Sequence, residues 1–164
     1  MSNARAAVAS TTCLATLLSL AAAGAAAEPV RLSDRVAFAE GSGVTRAVRE
    51  ECGLERGLPE YVRSAARDVE LVSGAASGPR TLDLHVTEVH APGGGPFSGP
   101  KAMTVEATLR EGGRVVATAR SRRVTAEPFG GTCDQLRKVA RAIASDLAAW
   151  LASPSKGATL GDAP

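Results

Sequence analysis

The sequence predicts an α+β fold: a two-layer sandwich with helices on one face of an antiparallel sheet, in the order β-α-α-β-β-β-α. Three observations predict it. Residues 80–125 hold three successive runs of period-two alternation, each with one apolar face, the pattern of an antiparallel sheet covered on one side. Residues 132–151 carry a continuous apolar stripe at helical spacing, which needs such a face to cover. Cys52 and Cys133 are the cysteines left once the leader is set aside, and an even count in an oxidising compartment reads as one disulfide.

The leader is residues 1–27. Arg5 precedes an apolar run that is densest from Cys13 to Ala23 and ends in Ala25-Ala26-Ala27. That is the plan of a secretory signal peptide, with cleavage expected after Ala27 and a periplasmic destination. The run is short for a membrane span, which needs about 20 apolar residues. Cys13 precedes most of the run, whereas a lipid-bearing cysteine would follow it, so the mature chain is expected without a lipid anchor. A single domain is expected over 28–153.

Within it, "DRVAFAEG" alternates at Val36 and Phe38 as a short strand. "SGVTRAVREECGL" and "LPEYVRSAARDVEL" follow as helices. The first stops at Gly53, and the second carries Pro59 near its first turn. "RTLDLHVTEV", "KAMTVEATLREG" and "RVVATARSRRV" are the three strands, with Glu111-Gly112-Gly113-Arg114 as the hairpin turn between the last two. In the final helix, Thr132 with Gln135 three residues on matches a capping box. Pro154 ends that helix, and residues 154–164 are too poor in apolar residues to be expected as more than a flexible tail. The disulfide would close a loop of about 80 residues, contributing roughly 4–5 kcal/mol on chain-entropy arithmetic. That contribution matters because Phe numbers 3 and Tyr and Trp 1 each, leaving the core to Val, Leu and Ala.

Charge excludes one class of function. Lys and Arg number 19, one of them Arg5 in the leader, against 17 Asp and Glu. A chain so close to neutral lacks the electrostatic footprint of a nucleic-acid binder, and few aromatics stand among its arginines to stack bases.

Chemistry has few carriers. "GGGPFSGPKAMT" resembles a phosphate loop, since Gly94 and Gly99 have the required separation. Pro100 then intrudes, Ala102 replaces the magnesium-binding hydroxyl, and a strand follows where a helix N-terminus should face the anion. The stretch reads as a long hairpin loop with Phe97 at its tip, and no nucleotide or other cofactor is expected. His85 and His90 differ in parity, so a regular strand points them to opposite faces, against a shared metal. Asp83 and His85 lie on one face about 6–7 Å apart, the only pair from which a small hydrolase could be built. The loop at 91–100 offers a third reading, an inhibitor inserted into an enzyme's cleft. The favoured reading is a non-enzymatic periplasmic accessory protein whose polar sheet face binds an envelope protein or an anionic envelope component. The candidate contacts are Arg110, Arg114, Arg120, Arg122, Lys101 and Phe97, with Arg114, Arg120 and Arg122 in one parity on the last strand.

"REECGLERGLPEYV", "GGGPFSGPKAMTVEATLREGGRVV" and "GTCDQLRKVARAIASDLAAWL" resemble blocks of a group of small exported proteobacterial proteins of unknown function. The order of elements is similar to that of the TolB amino-terminal domain and of the curli-secretion lipoprotein. The resemblance implies a role in envelope assembly and assigns no catalytic residue.

Overall fold

In the computed structural model, residues 28–92, 99–125, 127 and 130–164 are described. The expected leader and Phe97 lie outside them. The chain runs β1 (Val30–Ser33), β2 (Ala37–Phe38), α1 (Arg46–Cys52), α2 (Leu54–Ala65), β3 (Val69–Val72), β4 (Arg80–His90), β5 (Lys101–Glu111), β6 (Arg114–Thr125), α3 (Thr132–Ala152) and β7 (Ala158–Gly161). These form a two-layer α+β sandwich, with one seven-stranded sheet of order β3-β1-β4-β5-β6-β7 and β2 paired to β4.

The expected antiparallel sheet is its centre alone. β4, β5 and β6 are antiparallel neighbours, while β1–β3, β1–β4, β2–β4 and β6–β7 are parallel. Alternation gave most of the inner face: Leu82, Leu84, Val86, Met103, Val105, Ala107, Leu109, Ala117 and Ala119 are all buried. Val115, which regular alternation sets with Ala117 and Ala119, is exposed because the register shifts before Ala117 and leaves Val115 opposite Arg110. α3 lies across β5 and β6 and buries Leu136, Val139, Ile143, Leu147 and Trp150 into the same core. Cys52, at the end of α1, is bonded to Cys133 in the first turn of α3, with Cα atoms 4.8 Å apart. The bridge therefore staples the helical layer across a sequence separation of 81.

The expected first strand, read at Val36 and Phe38, is the two-residue β2, and β1 ahead of it is additional to that expectation. Three later boundaries also differ from the sequence expectation, each for a local reason. Pro59 sits inside α2, not at its first turn. The carbonyl it would otherwise satisfy, that of Glu55, accepts instead from the Val36 N–H at 2.8 Å, so an outside donor compensates for the missing helical bond. The segment Val69–Val72, read as the end of that helix, is β3, because the helix stops at Ala66 and the chain pairs with β1. Thr132 does not cap α3. The N-cap is Gly131, with no side-chain cap, and Gln135 turns its amide Nε2 to the carbonyls of Glu127 and Gly130, at 3.2 Å each.

The expected flexible tail contains β7. Ala158 to Gly161 lie alongside Ala119 to Arg122 of β6, and Trp150 Nε1 donates to the Ser155 carbonyl at 3.1 Å to hold the connection. Two apolar residues suffice there because polar contacts fix the end of the strand. Asp162 accepts from the Val124 N–H at 3.0 Å, and its own N–H donates to the Arg122 carbonyl at 2.7 Å.

Candidate functional site

The sheet's second face, away from the helices, is polar. Three rows cross it. His85, Glu106 and Arg120 lie side by side on β4, β5 and β6, with Thr159 of β7 next to Arg120. One step along, Asp83, Thr108 and Thr118 form the next row. One step the other way, Glu88, Thr104 and Arg122 form the third, where Thr104 Oγ1 donates to Glu88 Oε2 at 3.1 Å.

A groove of about 250 Å³ crosses this face between β5, β6 and the strand β7. Its polar lining is Glu106, Thr108, Thr118, Arg120 and Thr159, with the Gly157 backbone at one end. The Gly157 N–H donates to Thr118 Oγ1 at 2.9 Å, fixing one wall. Sequence reading missed the groove because it missed β7. The signal was present in "GATLGD", where Ala158 and Leu160 alternate between two glycines.

Two β-bulges rearrange the side chains singled out from sequence. The register between β4 and β5 shifts between Val86 and Glu88, so Thr87 is the extra residue. Parity reverses there, and Val86 and Val89 are both buried while His85 and His90 are both exposed. The two histidines thus share the outer face, contrary to the regular-strand expectation. They remain about 13 Å apart along the strand, by strand rise. Among the described residues no group of three or more His, Cys, Asp or Glu gathers to hold a metal ion.

The second bulge lies in β6, where Leu109 faces Ala117 but Arg110 faces Val115. It separates Arg114 from Arg120 and Arg122: Arg114 sits beside Glu111, on the other parity. Lys101 is also displaced from the expected stripe. It points to the core side with Met103 and Val105 and is fully buried, its Nζ donating to the Gly99 carbonyl at 3.1 Å. Of the expected basic contacts, Arg110, Arg120 and Arg122 share the outer face. Arg110 is neutralised there by Asp83, Nε to Oδ2 at 3.0 Å. Arg120 is exposed and Arg122 half-buried, and neither makes an ion pair among the described residues. Asp83 is thereby engaged by Arg110 rather than by His85, so the acid–base pair of the hydrolase reading is not formed.

Arg123, of opposite parity, faces the helical layer. Its Nη2 and Nε meet Asp146 of α3 at 2.6 and 2.9 Å, and its Nη1 meets Asp162 beyond β7 at 3.5 Å. The hydrogen bonds to Asp146 raise its pKa above the ordinary arginine value, against the lowering effect of burial. This arginine ties β6, α3 and the end of β7 together, which holds the groove's far wall in place. No described helix is long and apolar enough to cross a membrane.

No protein-family model matches the chain, and no curated protein matches it by sequence. Solved structures do match. A crystal structure of an uncharacterised protein superposes with a TM-score of 0.56 at 14% identity, covering 75% of this chain and 92% of that one. PelC from Paraburkholderia phytofirmans, solved as a dodecamer, gives 0.48 at 16% identity over 72% and 86% of the two chains. A DUF330 protein from Xanthomonas campestris gives 0.46 at 13% over 75% and 83%. At 14% identity the likeness to the first of these structures is one of fold.

Proposed function

We propose that the protein is a non-enzymatic accessory protein of the bacterial cell envelope, exported to the periplasm, that docks an anionic partner on the outer face of its sheet. The carrying observation is the pair Arg120 and Arg122. They stand two residues apart beside a groove lined by threonine hydroxyls, with no ion pair to neutralise either among the described residues. Guanidinium groups left unpaired on a rigid strand are suited to carboxylate or phosphate. The leader-like sequence and the disulfide support export, since such bonds persist in oxidising compartments. The resemblance to small exported proteobacterial proteins supports the envelope setting.

In-cell photo-crosslinking tests this. A photoreactive residue at Thr159, exposed in the groove beside Arg120, is expected to yield a discrete product of defined mass, and one at Glu51, exposed on α1, is expected to yield none. Absence of a product at Thr159, or the same product at both positions, would overturn the reading.

A further inference from the structure

A second surface lies at the opposite edge of the sheet. β3 has β1 on one side and, among the described residues, nothing on the other. The Val30 and Asp34 N–H groups donate to the Asp68 and Val72 carbonyls, each at 2.8 Å, so the backbone groups at those positions turn toward β1. By alternation, the Val69 carbonyl and the Leu71 N–H and carbonyl turn outward, an unpaired rung at the sheet edge. A groove of about 540 Å³ runs along this edge, lined by Arg63, Arg67, Val69, Glu70 and Leu71. Arg63 and Arg67 come from the end of α2 and the turn after it, are exposed, and make no hydrogen bond or ion pair among the described residues.

We infer that this edge accepts an extended acidic segment of another protein as an added strand. The geometry dictates its pattern. Side chains that fall beside Val69 and Leu71, on the helix side, meet Arg63 and Arg67 and are acidic. Those on the other side fall next to Glu70 and are uncharged or basic. Acidic residues therefore recur at every second position, about 6–7 Å apart. Backbone bonds to Leu71 supply part of the affinity and the arginines supply the selection, as in other strand-addition sites. A second copy of this chain is a poor occupant. Two β3 edges paired about a two-fold axis would bring both helical layers to the same side and set Arg63 and Arg67 against their own counterparts, a like-charge contact.

The test uses the purified protein and a fluorescein-labelled heptapeptide, acetyl-Thr-Glu-Thr-Glu-Thr-Glu-Thr-amide, read by fluorescence anisotropy. Saturable binding is expected, and the Thr-Lys analogue should bind far more weakly. Arg63→Ala/Arg67→Ala should weaken the Glu peptide about five- to tenfold, as two rim charge pairs would, with an unchanged thermal midpoint. Methylating alternate backbone nitrogens along the pairing edge should abolish binding. Equal affinity for the two peptides, indifference to the double substitution, full binding by the methylated peptide, or no binding by the Glu peptide would each overturn the inference. So would sedimentation showing that the edge is already closed by a second copy.

Discussion

The main-chain N–H of Val36 donates to the carbonyl of Glu55 at 2.8 Å, and Pro59 is what leaves that carbonyl open to it. A proline four residues on has no N–H to give. The first turn of α2 thereby becomes the anchor for the loop between β1 and β2, reinforced by Arg35 Nη1 and Glu55 Oε1 at 3.4 Å. Val36 is buried, so its amide needs this acceptor. Pro59→Ala restores a helical donor that competes for the same carbonyl. Hydrogen exchange should show the Val36 amide losing protection by about tenfold or more, since a buried donor without its partner costs about 1–3 kcal/mol. Unchanged protection at Val36 would mean that the carbonyl accepts both donors.

The disulfide joins the end of α1 to the start of α3 across a sequence separation of 81. Cys52→Ala/Cys133→Ala should lower stability to urea by about 2–5 kcal/mol. The reductant-treated wild type should move to the same midpoint as the variant, because the reduced thiols sit in the same packed helical layer.

The glycine before β7 and the glycine that ends it make opposite demands on space. Gly161 has φ +67, and a Cβ there would lie 2.5 Å from the Arg122 carbonyl oxygen, 2.7 Å from Arg123 Nε and 2.8 Å from Asp146 Oδ2. Gly157 has φ +68, and a Cβ there would meet nothing within 4 Å. Gly157→Ala should cost about 1 kcal/mol of backbone strain. Gly161→Ala should cost clearly more, about 2–3 kcal/mol, because it also drives apart the Arg123–Asp146 contact. Limited proteolysis should release the C-terminal residues from the Gly161→Ala protein first.

Arg123 has a pKa raised in the folded state by its bonds to Asp146. A group with a raised pKa contributes stability that is fully present below its unfolded value and is lost only as pH rises through the folded one. For an arginine that window lies beyond the alkaline end of ordinary buffers. The link between β6, α3 and β7 should therefore hold unchanged from about pH 7 to about pH 10, and C-terminal proteolysis rates should be flat over that range. A rise in cleavage between those limits would assign the link to some other group.

Much of the fold was legible because it is written in period. The alternation of β4, β5 and β6 and the stripe of α3 each recur over ten or more residues, and burial followed them. The elements that sequence missed are those decided by single tertiary contacts. β3 has four residues and follows a helix without a break in composition, so only its pairing to β1 marks it as a strand. β7 carries only the brief alternation of Ala158 and Leu160, and what holds it is Asp162 and the Arg123 link, contacts made with distant parts of the chain. The site was less legible for a related reason. One extra residue at Thr87 and another at Val116 reverse parity, and each moves a whole set of side chains to the other face. Arg114 left the stripe and His90 joined His85 on that account. Lys101 sits at the first position of β5, where core-side parity outweighs the usual exposure of lysine.

Arg120 and Arg122 are proposed to select an anionic partner for the groove between β5 and β7. A photoreactive residue at Thr108, on the groove's floor, is followed in cells carrying either the native arginines or Arg120→Gln/Arg122→Gln, which removes both charges without setting a second carboxylate opposite Glu106. Both arginines are clear of ion pairs among the described residues, so the double substitution should change stability by no more than about 1 kcal/mol. One discrete crosslinked product is expected with the native pair, and its loss when both charges are removed, with the thermal midpoint preserved. A product that persists without the charges, or none from either protein, would contradict selection by these arginines.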